Sequence, residues 1–143
     1  MDCLQRRTAM RGFTLVEILV VLAILGLLAG LVGPQVLNHF AGAQHKTARL
    51  QVKEIESAAE IFKLDVGRFP SAEEGLEALV TKPATVTGWN GPYLKKGIPN
   101  DPWGHPYRYD NPGKHGEIDI YSLGADNAPG GEGKNADVGN WMQ

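Results

Sequence analysis

The most apolar part of the chain is residues 13–33, FTLVEILVVLAILGLLAGLVG, in which Glu17 is the only charged residue. In a helix, a segment of this length spans about 30 Å, the thickness of the hydrocarbon core of a bilayer. Residues 1–12 before it carry three arginines and a single aspartate. A basic leader before an apolar helix holds the N-terminal side in the cytoplasm and sends the following segment outward. The pattern predicts one membrane-spanning helix.

A small residue, Gly12, precedes the apolar segment, whereas an ordinary secretory signal has its cleavage site after a shorter apolar core. Cleavage after Gly12 would remove the basic leader and leave the apolar helix on the mature chain. The alternative is an uncleaved signal anchor, which leaves Glu17 unexplained. A carboxylate in a membrane costs about 2.5–3.5 kcal/mol at the bilayer centre and less near an end. After cleavage, the α-amino group of Phe13, on the same chain or on a neighbour, could neutralise Glu17.

Beyond Pro34, where we expect a kink, apolar residues continue at helical spacing. They form one stripe, which consists of Ala41, Ala48, Val52, Ile55, Ala59, Phe62 and Val66. Charged residues occupy the other faces, and Gly67 follows as a C-cap. We therefore predict one long helix over roughly residues 14–65, whose later part packs on a domain.

The remaining apolar and turn residues predict a small α+β domain. Ser71-Ala-Glu-Glu74 has the pattern of a capping box and predicts a short helix to about Val80, with Leu76 and Leu79 docked on the long helix. Residues 81–102 predict an ordered loop. Two strands are predicted over residues 106–109 and 117–122, joined by the turn residues Asp-Asn-Pro-Gly. The expected loop anchors are Trp89, Tyr93 and Leu94.

The segment after Leu123 is rich in glycine and contains Asp126, Glu132 and Asp137. Calcium takes six to eight oxygen ligands, from carboxylates and backbone carbonyls, and glycines allow carbonyls to turn inward. The spacing does not match an EF-hand. From composition alone, a calcium-binding loop and a flexible surface loop remain equally good interpretations.

Composition narrows the class of protein. The 143 residues are enough for one ordinary domain, and 43% of them are hydrophobic, which excludes wholesale disorder. A net charge of −2 argues against a nucleic-acid partner. The single cysteine, Cys3, lies in the leader, which excludes a disulfide framework and a CxxC-type zinc site.

The residues that catalysis most often uses form no recognisable pattern. His39 and His45 are six residues apart, whereas two metal ligands on one helix face are four apart. His105 and His115 have no nucleophile motif near them, and adjacent glutamates at 73 and 74 are typical of a charged first helical turn. We therefore predict that the chain is not an enzyme.

The N-terminal sequence RGFTLVEILVVLAILGLLAGLVGP resembles the class III signal of type IV pilins and type II secretion pseudopilins. In those proteins a prepilin peptidase cleaves after the glycine and methylates the new N-terminal phenylalanine. The resemblance implies cleavage between Gly12 and Phe13, methylation of Phe13, and a role for Glu17 in assembly. The residues that match the pattern are Gly12, Phe13, Thr14, Leu15, Glu17 and Pro34.

The rest of the chain resembles the major pseudopilins of type II secretion, through YLKKGIPNDPWGHPYRY at 93–109 and SLGADNAPGGEGKNADVGNW at 122–141. This resemblance implies a pilin-like α+β fold: a long N-terminal helix, membrane-spanning in its first half, on a small antiparallel sheet. It also implies one structural Ca²⁺ in the C-terminal loop. The implied ligands are the side chains of Asp126 and Asp137 and the carbonyls of Leu123 and Val138.

The resemblance divides the chain into a cleaved leader (1–12), a transmembrane and assembly helix (13–34) and a periplasmic domain (35–143). It implies a homopolymer anchored by a single pass in the inner membrane of a Gram-negative bacterium. The implied partners are prepilin peptidase, minor pseudopilins, an inner-membrane assembly platform and an outer-membrane secretin. The expected function is a structural subunit of the pseudopilus, which drives export of folded proteins.

Two other functions compete with this one. A type IV pilin of a surface fibre, for adhesion or motility, would usually carry a C-terminal cysteine pair, and the chain after Gly12 has no cysteine. A membrane-anchored calcium-binding module acting alone does not explain a charged residue within the membrane span. The pseudopilus subunit accounts for both observations.

Overall fold

The computed structural model describes residues 12–142, and its main element is the helix α1, Leu15–Val66. Two short 3₁₀ helices and three strands follow in the order Leu76–Leu79, β1 (Arg108–Asp110), β2 (Asp119–Ser122), Gly133–Asn135 and β3 (Val138–Gly139). The chain divides into two compact units, one ending at Asn38 and one beginning at His39. The predicted helix of roughly residues 14–65 is confirmed.

The first unit contains the apolar part of α1. The segment Leu15–Gly33 is long and apolar enough to cross a membrane, and none of it is buried within the chain. Its aliphatic side chains are half or more exposed, as Leu15, Leu27 and Leu31 illustrate. Since burial of such side chains is worth about 1.5–3 kcal/mol each, this surface requires a bilayer or other protein helices around it.

The second unit has its core between the later part of α1 and the elements after it. The middle of the predicted stripe is confirmed, because Ala48, Val52, Ile55, Ala59 and Phe62 are all fully or almost fully buried. Its end members, Ala41 and Val66, are half-buried. The predicted docking of the short helix is also confirmed. The other buried hydrophobic residues are Ala58, Leu76, Ala78, Leu79, Val86, Leu94, Tyr107, Ile118, Ile120, Leu123 and Val138.

The capping box forms, but the helix after it differs from the prediction. Ser71 N–H donates to Glu74 Oε2 at 2.8 Å, and Glu74 N–H donates to Ser71 Oγ at 3.2 Å. Gly75 then adopts a left-handed conformation with φ +59°, which no α-helical residue has. The helix therefore starts later than expected and is a single 3₁₀ turn, Leu76–Leu79.

The same carboxylate makes this corner sensitive to acid. The two terminal guanidinium nitrogens of Arg68, Nη1 and Nη2, donate to Glu74 at 2.7 and 2.8 Å, and this pairing lowers the pKa of Glu74 to about 2. A lowered pKa in the folded state gives stability above the pKa of the unfolded state, near 4.3, and that stability is lost as the pH falls toward 2. We expect Glu74→Gln to cost about 1–2 kcal/mol of unfolding free energy at pH 7, because Arg68 is partly exposed and screened.

Thermal or urea unfolding of the soluble part at pH 7 and at pH 3 measures this effect. The difference between wild type and Glu74→Gln should shrink as the pH falls, whereas Glu77→Gln, at an exposed position in the next turn, should change little at either pH. An equal loss at both pH values would show that the ion pair is not its cause.

The sheet is antiparallel, with strand order β1-β2-β3. Arg108 pairs with Tyr121 and Ser122 pairs with Val138. The hairpin between the first two strands is confirmed, although β1 begins two residues later than predicted. Pro106 lacks an N–H group and makes only an isolated bridge with Asn100. The third strand, β3, was not predicted.

The expected anchors of the long loop are confirmed. Trp89 Nε1–H donates to the Ala78 carbonyl at 2.8 Å, and the Tyr93 hydroxyl donates to Asp65 Oδ2 at 2.9 Å. Leu94 is buried in the core. These contacts tie the loop to α1 and to the 3₁₀ turn.

Candidate functional site

The predicted processing site lies at the start of the described residues. Gly12 and Phe13 precede α1 in non-helical conformation, and Phe13 is 80% exposed. Apart from its two chain neighbours, no residue of the described part of the chain has an atom within 4 Å of the position that a Cβ on Gly12 would take. Residues 1–11 of the predicted leader lie outside the described residues. Among the described residues, nothing beyond its chain neighbours packs against the Cα of Gly12, and the Phe13 side chain next to it is exposed.

Thr14 caps the first turn of α1. Its hydroxyl accepts a hydrogen bond from Glu17 N–H at 3.2 Å, and its carbonyl accepts one from Ile18 N–H at the same distance. Sequence reasoning missed this cap, although Thr followed three residues later by Glu is the signature of a capping box. The consequence is that the helix is ordered from the second residue of the predicted mature chain onward.

The Glu17 side chain lies in this first turn, among exposed aliphatic residues. No Lys, Arg or His among residues 12–142 lies within 4 Å of it. The positive end of the helix dipole favours a carboxylate here, by about 0.3–1 kcal/mol. That is less than the cost of placing it in hydrocarbon, so the chain as described leaves Glu17 without sufficient compensation.

In the second unit, the sheet gathers three of the four expected calcium ligands. Leu123 directly follows Ser122, which pairs with Val138 across the β2–β3 ladder, and Asp137 directly precedes Val138. Leu123 and Val138 are buried. The structure thus brings Leu123, Asp137 and Val138 to one end of the sheet, although the whole glycine-rich loop separates the first from the other two in sequence.

Asp137 carries the clearest sign of a role as a ligand. Its Oδ2 accepts a hydrogen bond from Gly130 N–H at 2.9 Å. Its Oδ1 is buried and has no hydrogen-bond partner among the described residues. A buried carboxylate oxygen without a partner costs roughly 1–3 kcal/mol or more. A cation beside Oδ1 would remove that cost, so Asp137 fits the role of a metal ligand.

Asp126 lies in the exposed turn that follows Leu123. Its Oδ1 accepts a hydrogen bond from Ala128 N–H at 3.2 Å, and the loop ends are joined by a bond from Ala125 N–H to the Lys134 carbonyl at 3.0 Å. Within the described residues no three His, Cys, Asp or Glu side chains form a metal-binding group. The expected calcium set has only two carboxylates and takes its other oxygens from the backbone.

The loop closes on a glycine that sequence reasoning did not single out. Gly124 has φ +70°, and a Cβ there would lie 2.7 Å from the Asn135 carbonyl oxygen. The 3₁₀ turn at Gly133–Asn135 therefore packs directly on the backbone that follows Leu123. This close approach brings the carbonyl oxygens of Asn135 and Ala136 beside the backbone that directly follows Leu123, and calcium loops take part of their ligands from backbone carbonyls.

The fold identifies a class of protein first. A long N-terminal helix, apolar and uncovered in its first half, joined to a three-stranded antiparallel sheet, is the architecture of a pilin-like protein. The crystal structure of the major pseudopilin from the type 2 secretion system of enterohaemorrhagic Escherichia coli matches with a TM-score of 0.65 at 33% sequence identity. The match covers 75% of this chain and 94% of that one.

Sequence comparisons identify the family. The family described as type II secretion system (T2SS), protein G matches residues 35–141, and the prokaryotic N-terminal methylation motif matches residues 7–33. The type II secretion system core protein G of Pseudomonas aeruginosa is 49% identical over 140 residues, covering 95% of this chain and 98% of that protein. The core protein G of Vibrio cholerae is 46% identical over 133 residues, covering 91% and 90%.

The chain belongs to the type II secretion system protein G family, and it is a structural subunit of the pseudopilus. The expected pilin-like fold is confirmed. The relatives are structural subunits, which is consistent with the prediction that the chain is not an enzyme.

Proposed function

We propose that the chain, after loss of the leader, polymerises from the inner membrane into the periplasmic pseudopilus and thereby drives export of folded proteins across the outer membrane. One observation carries this proposal: the uncovered apolar helix Leu15–Gly33 contains a single carboxylate, Glu17, near the predicted new N-terminus. A bilayer can cover the apolar side chains. It does not supply a counter-charge for Glu17, whereas the Phe13 amine of a second copy of the chain would.

The expected orientation places the domain from residue 35 onward in the periplasm, because the basic leader favours the cytoplasm. Prepilin peptidase is the expected processing enzyme, and the match of the methylation motif across Gly12 supports it. Minor pseudopilins, an inner-membrane assembly platform and an outer-membrane secretin are the expected partners. The absence of a cysteine after Gly12 favours this function over a surface type IV pilin.

Complementation tests this function. A strain that lacks the chain but retains the rest of its secretion system should accumulate the exported proteins in the periplasm. Expression of the chain should restore export, and its overproduction should give fibres that bind an antibody against the second unit. Normal export without the chain, or restored export with no fibre or oligomer detectable, would contradict the proposal.

We expect Gly12→Val to retain the leader. A peptidase that cuts after glycine meets a side chain at a position where the structure has none, so processing should fall at least tenfold. Mass spectrometry of the membrane fraction should find the full chain, without a methyl group on Phe13. Gly30→Val, inside the apolar helix, is the matched control and should be processed normally. Loss of the whole leader from Gly12→Val at the normal rate would show that processing does not depend on this glycine.

We also propose one structural Ca²⁺ in the C-terminal loop, held by the side chains of Asp126 and Asp137 and the carbonyls of Leu123 and Val138. The unpartnered Asp137 Oδ1 and the position of Leu123 beside Val138 support this set. The ion would neutralise the two carboxylates and fix the loop on the end of the sheet.

A further inference from the structure

The end of the chain runs from the sheet to the side of helix α1. We call residues 138–142 the C-terminal strap. It begins with the two residues of β3, which pair only with Tyr121 and Ser122 of β2. A ladder of two residue pairs is too short to hold a segment in place by itself. The position of the strap therefore depends on the contacts of its side chains.

Asn140, in the middle of the strap, is hydrogen-bonded to two different elements. Its N–H donates to the Ile120 carbonyl, and its Oδ1 accepts from Ile120 N–H, both at 3.0 Å, which continues the ladder beyond β3. Its Nδ2 donates to the Ile118 carbonyl at 3.1 Å and to Glu56 Oε1 of α1 at 2.9 Å. One side chain thus joins the strap, the sheet and a helix residue 84 positions earlier.

The strap has an anchor on either side of Asn140. Val138 is 2% exposed and belongs to the same core cluster as Val52 of α1. The Trp141 ring stacks on the His115 ring, in the connection between β1 and β2, with centroids 3.9 Å apart and planes at 10°. A Cβ on Gly139 would lie 2.5 Å from the Trp141 ring, so a side chain there would push the ring out of this position.

The strap also forms part of the surface beside α1. Gly139, Asn140 and Met142 line one wall of a groove of about 340 Å³, and the helix lines the other. Val52 lies in this groove and is only 1% exposed. Opening of the strap would therefore expose Val52 to water and leave Glu56 without the Asn140 amide.

We propose that the C-terminal strap closes on α1 only when the C-terminal loop holds Ca²⁺, and that Asn140 transmits the state of the loop to the helix. This inference rests on the calcium site of the proposed function. The strap begins directly after Asp137, whose buried Oδ1 has no partner among the described residues. Without the ion, that oxygen destabilises the closed position. With the ion, Asp137 and the Val138 carbonyl are fixed, and Asn140 is only two residues further along the chain.

The consequence for a fibre subunit is that one side of α1 depends on the metal. An empty loop leaves Val52 exposed and the groove without its second wall, whereas a filled loop completes both. The coupling must also act in reverse, because two linked equilibria affect each other equally. Loss of the Asn140 contacts should therefore weaken calcium binding, although Asn140 is not one of the expected ligands.

Thiol labelling tests the closure in the full chain, purified in detergent with Cys3→Ser so that no native thiol remains. Val52→Cys should react with a maleimide about tenfold faster in chelator than in millimolar Ca²⁺, because local opening exposes it. Ala58→Cys, 3% exposed and outside the groove, should stay slow in both, and Leu64→Cys, 84% exposed, should react fast in both. Equal labelling of Val52→Cys in both conditions would overturn the proposal. An equal acceleration of Ala58→Cys would do so too, because the whole unit would then be unfolding.

Replacement of Asn140 with alanine tests the transmission. Val52→Cys should then label fast even in millimolar Ca²⁺, and isothermal titration should find calcium bound about fivefold more weakly. Asn90→Ala, at an exposed asparagine outside the strap, is the matched control and should change neither result. Protection of Val52→Cys by calcium that persists in the Asn140→Ala variant would overturn the role of Asn140.

A second pair of variants covers the case in which Asn140→Ala does not fold. Glu56→Ala removes only the bond to the helix and should reduce the protection of Val52→Cys by calcium, whereas Glu56→Gln keeps an acceptor oxygen and should retain it. Equal protection in both variants would overturn the transmission to α1. These outcomes are separate from the proposed function, because complementation with the wild-type chain measures fibres and export directly.

Discussion

Replacing Glu17 with valine should leave the chain inserted and processed but unable to build a functional fibre. Insertion should improve, because the substitution removes a carboxylate that costs up to about 2.5–3.5 kcal/mol in hydrocarbon. Assembly should fail, because the Phe13 amine of the incoming subunit then has no counter-charge in an apolar setting. Removing one partner of a buried ion pair typically costs about 3–5 kcal/mol, so we expect export to fall by a hundredfold or more.

Three measurements separate these effects. Membrane fractionation reports insertion, mass spectrometry reports cleavage and methylation of Phe13, and electron microscopy with an export assay reports the fibre. Glu17→Asp keeps the charge on a shorter side chain and should retain part of the activity, whereas Glu17→Gln should behave like Glu17→Val. A valine variant that forms fibres and exports normally would show that the carboxylate has no role in assembly.

The parts of the fold that depend on local periodicity could be predicted from the sequence. The stripe that contains Val52, Ile55 and Phe62 could be recognised as the buried face of an α-helix, because its apolar residues recur every three or four positions over several turns. The hairpin was also predictable, since alternating strand residues flank a turn of Asp, Asn, Pro and Gly. Both patterns lie within short stretches of sequence, and the elements they predict do not depend on contacts with residues far away in the chain.

The parts that depend on distant contacts could not be predicted. The strand β3 has two residues, one of them Gly139, and it exists because β2, which lies before the glycine-rich loop, offers a free edge at Ser122. The predicted helix does not run on from the capping box because Gly75 has a positive φ. A glycine in the sequence allows this conformation but does not require it. In both places the local signal is weak and the tertiary contact decides the conformation.

The two candidate sites differ in the same way. Gly12, Phe13 and Glu17 fall within six residues, so they could be recognised from the sequence as one pattern. Only the cap at Thr14 was missed. The calcium set joins residues before and after a glycine-rich loop, and its residues were assigned by resemblance alone. Only the structure shows that Asp137 Oδ1 is buried without a partner, and that the pairing of β2 with β3 places Asp137 beside Leu123.

Removing calcium should lower the melting temperature of the second unit, produced as a soluble fragment from residue 39 onward, which has its own core. Extracellular modules bind Ca²⁺ with a dissociation constant of about 10⁻⁴–10⁻³ M. At tenfold excess over that constant, binding stabilises the folded state by RT ln 11, about 1.4 kcal/mol. For a domain of roughly 100 residues, whose unfolding entropy is about 0.2 kcal/mol/K, this corresponds to a shift of about 7 °C. Magnesium should recover little of it, because Mg²⁺ demands a smaller octahedral site and keeps its waters.

Three variants assign the effect to the loop. Asp126→Ala should melt at the chelator value whether or not Ca²⁺ is present. Asp137→Asn keeps an oxygen to accept the Gly130 N–H but loses the charge, so it should also lose the response to calcium without unfolding. Glu132→Ala, an exposed acid of the same loop outside the ligand set, should respond like wild type. Equal melting temperatures of the wild-type fragment in chelator and in millimolar Ca²⁺ would contradict the proposed calcium site. Asp137 Oδ1 would then need a partner other than a metal ion.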